Sequence, residues 1–207
     1  MRRPGAGHIL RRLAFGRSGP AGTGGAVACY YVARAYINPD NGTAITYGYF
    51  TIISGITGPL FSGAPSENTA FFTYRTDVVQ GTMLPTNGDV GIILFAPGTL
   101  SLYFNPAPAG DWNNPDTFSS GILIGRYQIA AQEFVQLSTL TRAVGTLTLT
   151  FSQQFSLNGN TYDLRKLLPV WTFDDTVSNT PVTGISDFSV GLPYGGYCLA
   201  VASNEQG

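Results

Sequence analysis

The sequence predicts an all-β domain, and three features of its composition support that fold class. Charged residues make up only 11% of the chain, against roughly 25% in a typical soluble domain. Aromatic residues reach 13%, and they suit a pleated, half-buried surface. Gly (26) and Pro (13) punctuate the apolar runs and favour turns. We therefore expect a mainly antiparallel, jelly-roll-like sandwich or a closed β-barrel of about 8–11 strands, with at most one or two short helices.

The first half of the body alternates apolar runs with strong turn signals. Strands are predicted there over residues 26–37, 43–54, 69–80, 89–96 and 99–105. The Asn41-Gly42 pair favours a hairpin between the first two strands, because this pair readily adopts positive φ. The second strand carries large side chains on both faces, which indicates a central strand covered on both sides.

The second half continues the strand pattern with two ambiguous segments. Strands are predicted there over residues 121–130, 132–141, 145–157, 161–173, 186–192 and 196–203. The run 132–141 is also compatible with a short helix, and 163–168 with one or two helical turns. A polar loop is expected over 174–185, and a turn at 193–196 is expected to split the last two strands.

The clearest strand lies within 145–157. There Leu147, Leu149 and Phe151 alternate with threonines, so the period of two predicts that these three side chains are buried on one face.

Charge divides the chain into an arm and a body. Five of the ten arginines lie in the first 17 residues, whereas from residue 20 onward six bases and twelve acids give a net charge of −6. We interpret residues 1–25 as a basic, Gly-rich arm or export segment and residues 26–207 as a single β domain. The Arg11-Arg12 pair and the string Ala33-Arg34-Ala35 resemble parts of an export signal, but the apolar core of such a signal is poor here. The low charge and the single lysine of the chain suggest an extracellular or cell-surface location. A cytoplasmic location stays open.

Partners follow from the same charge pattern. An acidic body lacks the basic surface that nucleic acids require, so no nucleic-acid partner is expected. No apolar stretch is long enough for a transmembrane helix. A weakly charged strand edge can pair with another copy, which predicts a homo-oligomer or filament. A glycan or a small apolar ligand is the alternative partner.

Histidine-dependent catalysis is argued against, because the one histidine, His8, lies in the basic arm. No catalytic residue is therefore assigned. Five acids are candidates for a catalytic carboxylate pair, and each is interpreted as a solvated surface group: Asp77, Glu133, Asp163, Asp174 and Asp175.

The segment 111–116 is the strongest local candidate for a binding site. Asp111, Asn113 and Asp116 place side-chain oxygens at short spacing, which suggests Ca²⁺ as the only cofactor. Trp112, with Asn113 and Asn114 beside it, offers a sugar an apolar face and hydrogen-bonding groups. The alternative is a structural loop, in which Trp112 folds back onto the core and the Asx residues form turns.

A second candidate ligand site depends on closure into a barrel. Arg75 and Asp77 share one strand face, and Arg126 and Tyr127 lie in another strand. In a barrel they would line the interior and bind a polar or anionic small molecule. The alternative is an ion pair facing solvent, which contributes little stability.

Cys29 and Cys198 lie in the first and last predicted strands. If those strands are neighbours, the pair could form a disulfide worth roughly 4–5 kcal/mol in the chain-entropy model. The alternative is two separate buried thiols.

Two functional hypotheses follow. The first is a non-enzymatic, secreted or surface-associated β domain for assembly, adhesion or glycan binding. The second is a small-molecule-binding β-barrel, which could act as an isomerase or cyclase through an apolar cavity lined by Tyr and Phe. Such catalysis depends on orientation of the substrate and does not require histidine.

Overall fold

A computed structural model describes residues 26–130, 132–136 and 140–201. Within these ranges strands dominate, with one 3-10 helix and one short α-helix. The predicted arm or export segment, residues 1–25, lies outside the described residues and stays a prediction. No helix in the described ranges is long and apolar enough to cross a membrane.

The described residues contain fourteen strands, separated by Gly-, Pro- and Asn-rich turns. Their bounds, with those of the two helices, are β1 (Val27–Asn38), β2 (Thr43–Ile53), β3 (Phe72–Thr76), β4 (Val79–Met83), β5 (Gly91–Phe95), β6 (Gly98–Phe104), the 3-10 helix (Pro115–Ser119), β7 (Ile122–Ile129), β8 (Gln132–Gln136), β9 (Thr141–Ser152), β10 (Phe155–Leu157), β11 (Asn160–Tyr162), α1 (Leu164–Leu167), β12 (Val170–Val177), β13 (Val182–Ile185) and β14 (Phe188–Ala200).

Eight strands close into an antiparallel barrel. The order of hydrogen-bonded neighbours is β1, β14, β12, β9, β7, β6, β3 and β2, and β2 pairs again with β1. Because the ring returns to its first strand, these eight strands leave no free edge. The all-β prediction is confirmed, and of the two predicted architectures the structure adopts the closed barrel.

Three further strands form a flap beside the barrel. β4 pairs with β2, β5 pairs with both β4 and β8, and β8 pairs with β9. Val79 and Phe95 of the flap are buried against Ala44 of β2. The ring centroids of Phe134 and Phe95 are 4.8 Å apart. The flap therefore adds an apolar wall beside the barrel, and residues 132–136 are strand rather than helix.

β2 is covered on both faces, as the large side chains on each face predict. Phe50 points into the barrel and is fully buried. On the outer face, Ile45 and Tyr47 are buried in a cluster with Tyr36 of β1 and Phe118 of the 3-10 helix. The loop before β7 thus folds over the outer wall and gives the second face of β2 its partner.

The short helix α1 begins after Asp163. This carboxylate accepts a hydrogen bond from the backbone N–H of Arg165 at 2.9 Å, which caps the first turn. A hydrogen bond from the Ser152 hydroxyl, with the one from Arg165, lowers the pKa of Asp163. Of the two alternatives for 163–168, strand or one or two helical turns, the structure has the helical turn.

Three segments predicted as irregular are strand. Residues 174–177 and 182–185, both assigned to a polar loop, form the end of β12 and β13. Residues 193–196, assigned to a turn, lie inside β14. Pro193 lacks a backbone donor, but its carbonyl still accepts a hydrogen bond from the N–H of Ser178 at 2.8 Å. The acids of 174–175 and the Pro and Gly residues of 193–196 misled the prediction, although strand pairing continues through 174–177 and through 193–196.

The predicted burial of β9 is correct at its start and wrong at its end. Leu147 is 1% exposed and Leu149 is partly buried, whereas Phe151 is 39% exposed. The register explains the difference: Tyr127 pairs with Leu149, but the preceding Arg126 pairs with Phe151. This β-bulge leaves one extra residue in β9, which turns Phe151 to the outer face beside Arg126.

Phe151→Ser tests this register. We expect the free energy of unfolding to change by less than ~1 kcal/mol, because Phe151 lies outside the barrel. Truncating a buried Phe costs about 3–5 kcal/mol. Urea denaturation at pH 7 measures the difference, and a loss in the range for a buried Phe would contradict the bulge.

Candidate ligand site inside the barrel

Alternation along β12 places a carboxyl group inside the barrel. Trp171 and Val177 are buried, Phe173 packs against the core, and Asp175 shares their inward face and is 6% exposed. Asp174 points outward, where it forms an ion pair with Arg142. The interpretation of Asp175 as a solvated surface acid is therefore wrong.

Small residues on both neighbouring strands make room for this carboxyl group. Asp175 pairs with Gly196 of β14 on one side and with Ala143 of β9 on the other. Gly196 also pairs with Tyr31 of β1, so it lies between the two polar side chains. A Cβ at Gly196 would lie 2.9 Å from the Tyr31 hydroxyl oxygen and would collide with Asp175. The missing side chain allows the two groups to meet.

Tyr31 holds one carboxylate oxygen of Asp175. Its hydroxyl donates a hydrogen bond to Oδ1, and in the described part of the chain it is the only donor to this carboxyl group. Burial raises the pKa of Asp175 to about 7, the hydrogen bond from Tyr31 lowers it, and the charge of Asp174 raises it. A buried carboxyl with a single donor is therefore half ionised near neutral pH.

Two further tyrosine hydroxyls lie in the same cluster. The hydroxyl oxygens of Tyr74 and Tyr194 are 3.2 Å apart, within hydrogen-bond distance. The Tyr74 ring packs against Gly48. A Cβ on Gly48 would lie 2.6 Å from this ring, so the missing side chain makes room for it. Burial raises the pKa of both hydroxyls, and the nearby charge of Asp175 adds to the rise. Both tyrosines therefore stay protonated at neutral pH.

These groups line a cavity at the flap side of the barrel. The space open to the centre of a water molecule is about 60 Å³, whereas one buried water needs roughly 10–15 Å³ of such space. The wall is mainly aliphatic and aromatic, and Val79, Phe95 and Phe134 of the flap belong to it. Its polar lining consists of Tyr31, Thr46, Tyr74, Thr76, Gln132, Asp175 and Tyr194. None of the described residues that line the cavity is a lysine, arginine or histidine.

Trp171 in the cavity wall packs against Tyr127 in the core. The two rings meet edge to face with centroids 5.4 Å apart. The Trp171 indole N–H and the Tyr127 hydroxyl are both buried, and neither forms a hydrogen bond of full geometry among the described residues. The two groups nevertheless face each other: burial raises the pKa of the Tyr127 hydroxyl, and hydrogen bonding from the Trp171 N–H lowers it in part.

The barrel does not gather the predicted interior residues. Arg75 lies on the outer face, beside Tyr47, since its neighbour Tyr74 points inward. Asp77 and Arg126 are exposed, and Tyr127 alone of the four is buried inside. The expectation that Arg75, Asp77 and Arg126 line the interior is wrong: alternation along β3 and β7 directs Arg75 and Arg126 outward, and Asp77 is exposed between β3 and β4.

The segment 111–116 forms turns on the outer wall. Asp111 accepts hydrogen bonds from the N–H and the side-chain amide of Asn113 at 2.8 and 3.1 Å. Asp116 accepts one from the Tyr47 hydroxyl at 3.3 Å. The described residues contain no group of three or more His, Cys, Asp or Glu side chains arranged to hold a metal. Ca²⁺ binding stays a prediction.

Trp112 folds back onto the barrel. The ring centroids of Trp112 and Phe118 are 4.5 Å apart. The Arg34 guanidinium carbon lies over the Trp112 ring, 4.6 Å from its centroid. Asn113 and Asn114 are exposed beside it. These contacts match the alternative in which Trp112 folds back onto the core and the loop is structural. Glycan binding by Trp112, Asn113 and Asn114 stays a prediction.

The two cysteines are direct neighbours. Cys29 of β1 pairs with Cys198 of β14, as a disulfide requires, and both are fully buried free thiols in the structure. Burial raises the pKa of Cys198, with the neighbouring Cys29 adding to the rise. The disulfide stays a prediction.

These features define a class: a closed antiparallel β-barrel with a polar cluster of one carboxyl and three tyrosines facing an apolar cavity. Comparison with family models, curated proteins and solved structures finds no match. The sequence reasoning missed this cluster, although one signal was present. In the run from Trp171 to Val177, Asp175 falls on the same period-two face as the aromatic residues.

Proposed function

We propose that the barrel binds a small, neutral, mainly apolar molecule that carries one oxygen, such as a hydroxyl or carbonyl group. One observation carries the proposal: Asp175 is buried at the wall of an apolar cavity and has a single hydrogen bond among the described residues. Burying a carboxyl group with so few partners costs free energy, and such groups cluster at functional sites. Of the two functional hypotheses, this geometry favours the small-molecule barrel.

Charge narrows the class of ligand. The described lining holds one acid and no base, so a ligand carboxylate or phosphate would meet like charge with no counter-ion. A ligand hydroxyl or carbonyl oxygen instead finds the hydroxyls of Tyr74 and Tyr194 in the cavity wall. Apolar pockets with a few convergent polar groups are the usual form of small-molecule sites.

Binding can be measured with 2-naphthol, an apolar bicycle with one hydroxyl, against 2-naphthoate, which carries a carboxylate instead. The chain has two tryptophans, so Trp112→Phe leaves Trp171 as the only indole. Saturable quenching of Trp171 emission by 2-naphthol is expected at pH 7, with at least tenfold weaker binding of 2-naphthoate. Absence of saturable quenching, or equal affinity for both, would contradict the proposal.

A matched pair of variants locates the binding. Tyr194→Phe removes a hydroxyl from the cavity, and we expect 2-naphthol to bind about tenfold more weakly, as loss of one hydrogen bond of ~1.4 kcal/mol requires. Tyr197→Phe removes a hydroxyl that lies on the outer face of the same strand, hydrogen-bonded to Asp174. It is expected to leave the affinity unchanged.

A further inference from the structure

We propose that the cavity catalyses proton transfer at a carbon next to a ketone carbonyl, with Asp175 as the general base and the hydroxyl pair of Tyr74 and Tyr194 as the donor to the carbonyl oxygen. This inference rests on the proposed binding function and adds a reaction to it. The substrate class is a small, neutral, mainly apolar ketone, in particular one with a carbon–carbon double bond one position removed from conjugation.

The geometry separates a base from a donor pair within one cavity. Tyr31 occupies Oδ1 of Asp175, and among the described residues no donor claims Oδ2. In the pair of Tyr74 and Tyr194, whichever hydroxyl accepts the hydrogen bond keeps its own O–H for another acceptor. The Thr46 side chain lies beside the Tyr194 hydroxyl, and hydrogen bonding from it lowers the pKa of Tyr194 in part. Both parts line the same space, so a ketone seated there can meet both. The required groups are thus present before any ligand arrives.

The protonation states suit these roles. Burial raises the pKa of Asp175 to about 7, which makes the carboxylate a stronger base than an exposed one while leaving it ionised in a large share of molecules. Burial raises the pKa of Tyr74 and Tyr194 as well, so both hydroxyls remain donors. Tyr31 and Cys198, which also face the cluster, have pKa values raised by burial and stay neutral.

The step conserves atoms and electrons. Asp175 takes a proton from the carbon beside the carbonyl, the C–H electron pair forms a carbon–carbon double bond, and the carbonyl π pair moves to oxygen. The tyrosine hydroxyl donates a hydrogen bond to the resulting enolate oxygen and keeps its own proton. Asp175 then returns the proton to the far carbon of the conjugated system. The product is an isomer, and no oxidant, reductant or second substrate enters.

Conversion of cyclohex-3-en-1-one to cyclohex-2-en-1-one tests the inference, since the conjugated product absorbs in the ultraviolet. The full chain is expected to raise the rate above the buffer reaction, with activity increasing as pH rises through about 7 because Asp175 must be ionised. Asp175→Asn is expected to lower the rate at least 100-fold, in line with the ~10²–10⁴ that general bases supply. Tyr194→Phe is expected to lower kcat about tenfold, and Tyr197→Phe to leave it unchanged.

The outcomes separate the two proposals. Binding of 2-naphthol without isomerisation of the ketone would overturn the catalytic inference and leave the binding function in place. Absence of both would overturn both. Isomerisation that persists in Asp175→Asn, or that falls as pH rises through 7, would also overturn the inference, because another group would then act as the base. The pH profile of the unaltered chain keeps the test valid if a variant fails to fold.

Discussion

Between pH 5 and pH 8.5 the free energy of unfolding is expected to fall by about 3 kcal/mol, chiefly through one carboxyl group. Asp175 has a folded pKa of about 7, raised by burial, whereas an unfolded aspartate titrates near ~3.9. The folded chain therefore holds a proton that the unfolded chain has released. The stability linked to this proton is fully present below the unfolded pKa and is lost as pH rises through the folded pKa.

Asp175→Asn is expected to remove most of this pH dependence, because the amide carries no charge and still offers Oδ1 to Tyr31. Urea denaturation at several pH values between 5 and 8.5 measures the slope. Tyr31, Tyr74 and Tyr194 stay protonated in this window because burial raises each pKa.

The neighbouring acid supplies the control for this experiment. Asp174 points outward and pairs with Arg142, whose side chain is 53% exposed. Asp174→Asn is therefore expected to cost less than ~1 kcal/mol, as surface ion pairs do, and to keep most of the slope. A slope that is the same in Asp175→Asn and in the unaltered chain would show that this carboxyl does not titrate in the window.

Local patterns predicted the features that depend on local sequence. The composition indicated strands, the large side chains on both faces of β2 indicated two-sided cover, and residues 163–168 indicated a helical turn, and the structure agrees with each. Phe151 escaped prediction because its orientation depends on a bulge against β7, a register set by a partner strand. Alternation within one strand does not encode that offset.

The candidate site escaped prediction because it is built from distant parts of the chain. Tyr31 and Asp175 lie 144 residues apart, and only closure of the barrel brings them together. An acid among polar neighbours is usually a surface residue, so Asp175 looked ordinary although its position within the period-two pattern pointed inward. If the period-two pattern of β12 is continued past Asp174, it places the Asp175 carboxyl group inside the barrel.

Gly196→Ala is expected to destabilise the chain by about 3 kcal/mol or more, or to prevent folding, because overpacking costs about 1–3 kcal/mol even where neighbours can move. Here the new methyl group would collide with Asp175 and lie 2.7 Å from the backbone oxygen of Asp174. The Asp174 oxygen belongs to the β12 ladder and cannot move without breaking the barrel.

The adjacent residue on the same strand separates this effect from the general cost of changing a glycine. Among the described residues, a Cβ on Gly195 would meet only the backbone oxygen of Tyr31 within 4 Å, at 3.4 Å, which is an ordinary contact. Gly195→Ala is therefore expected to change the free energy of unfolding by less than ~0.5 kcal/mol. Thermal and urea denaturation of both variants at pH 6 provide the comparison. Equal stability of the two variants would mean that Asp175 and Tyr31 do not meet across Gly196, and the interior site would then lose its central contact.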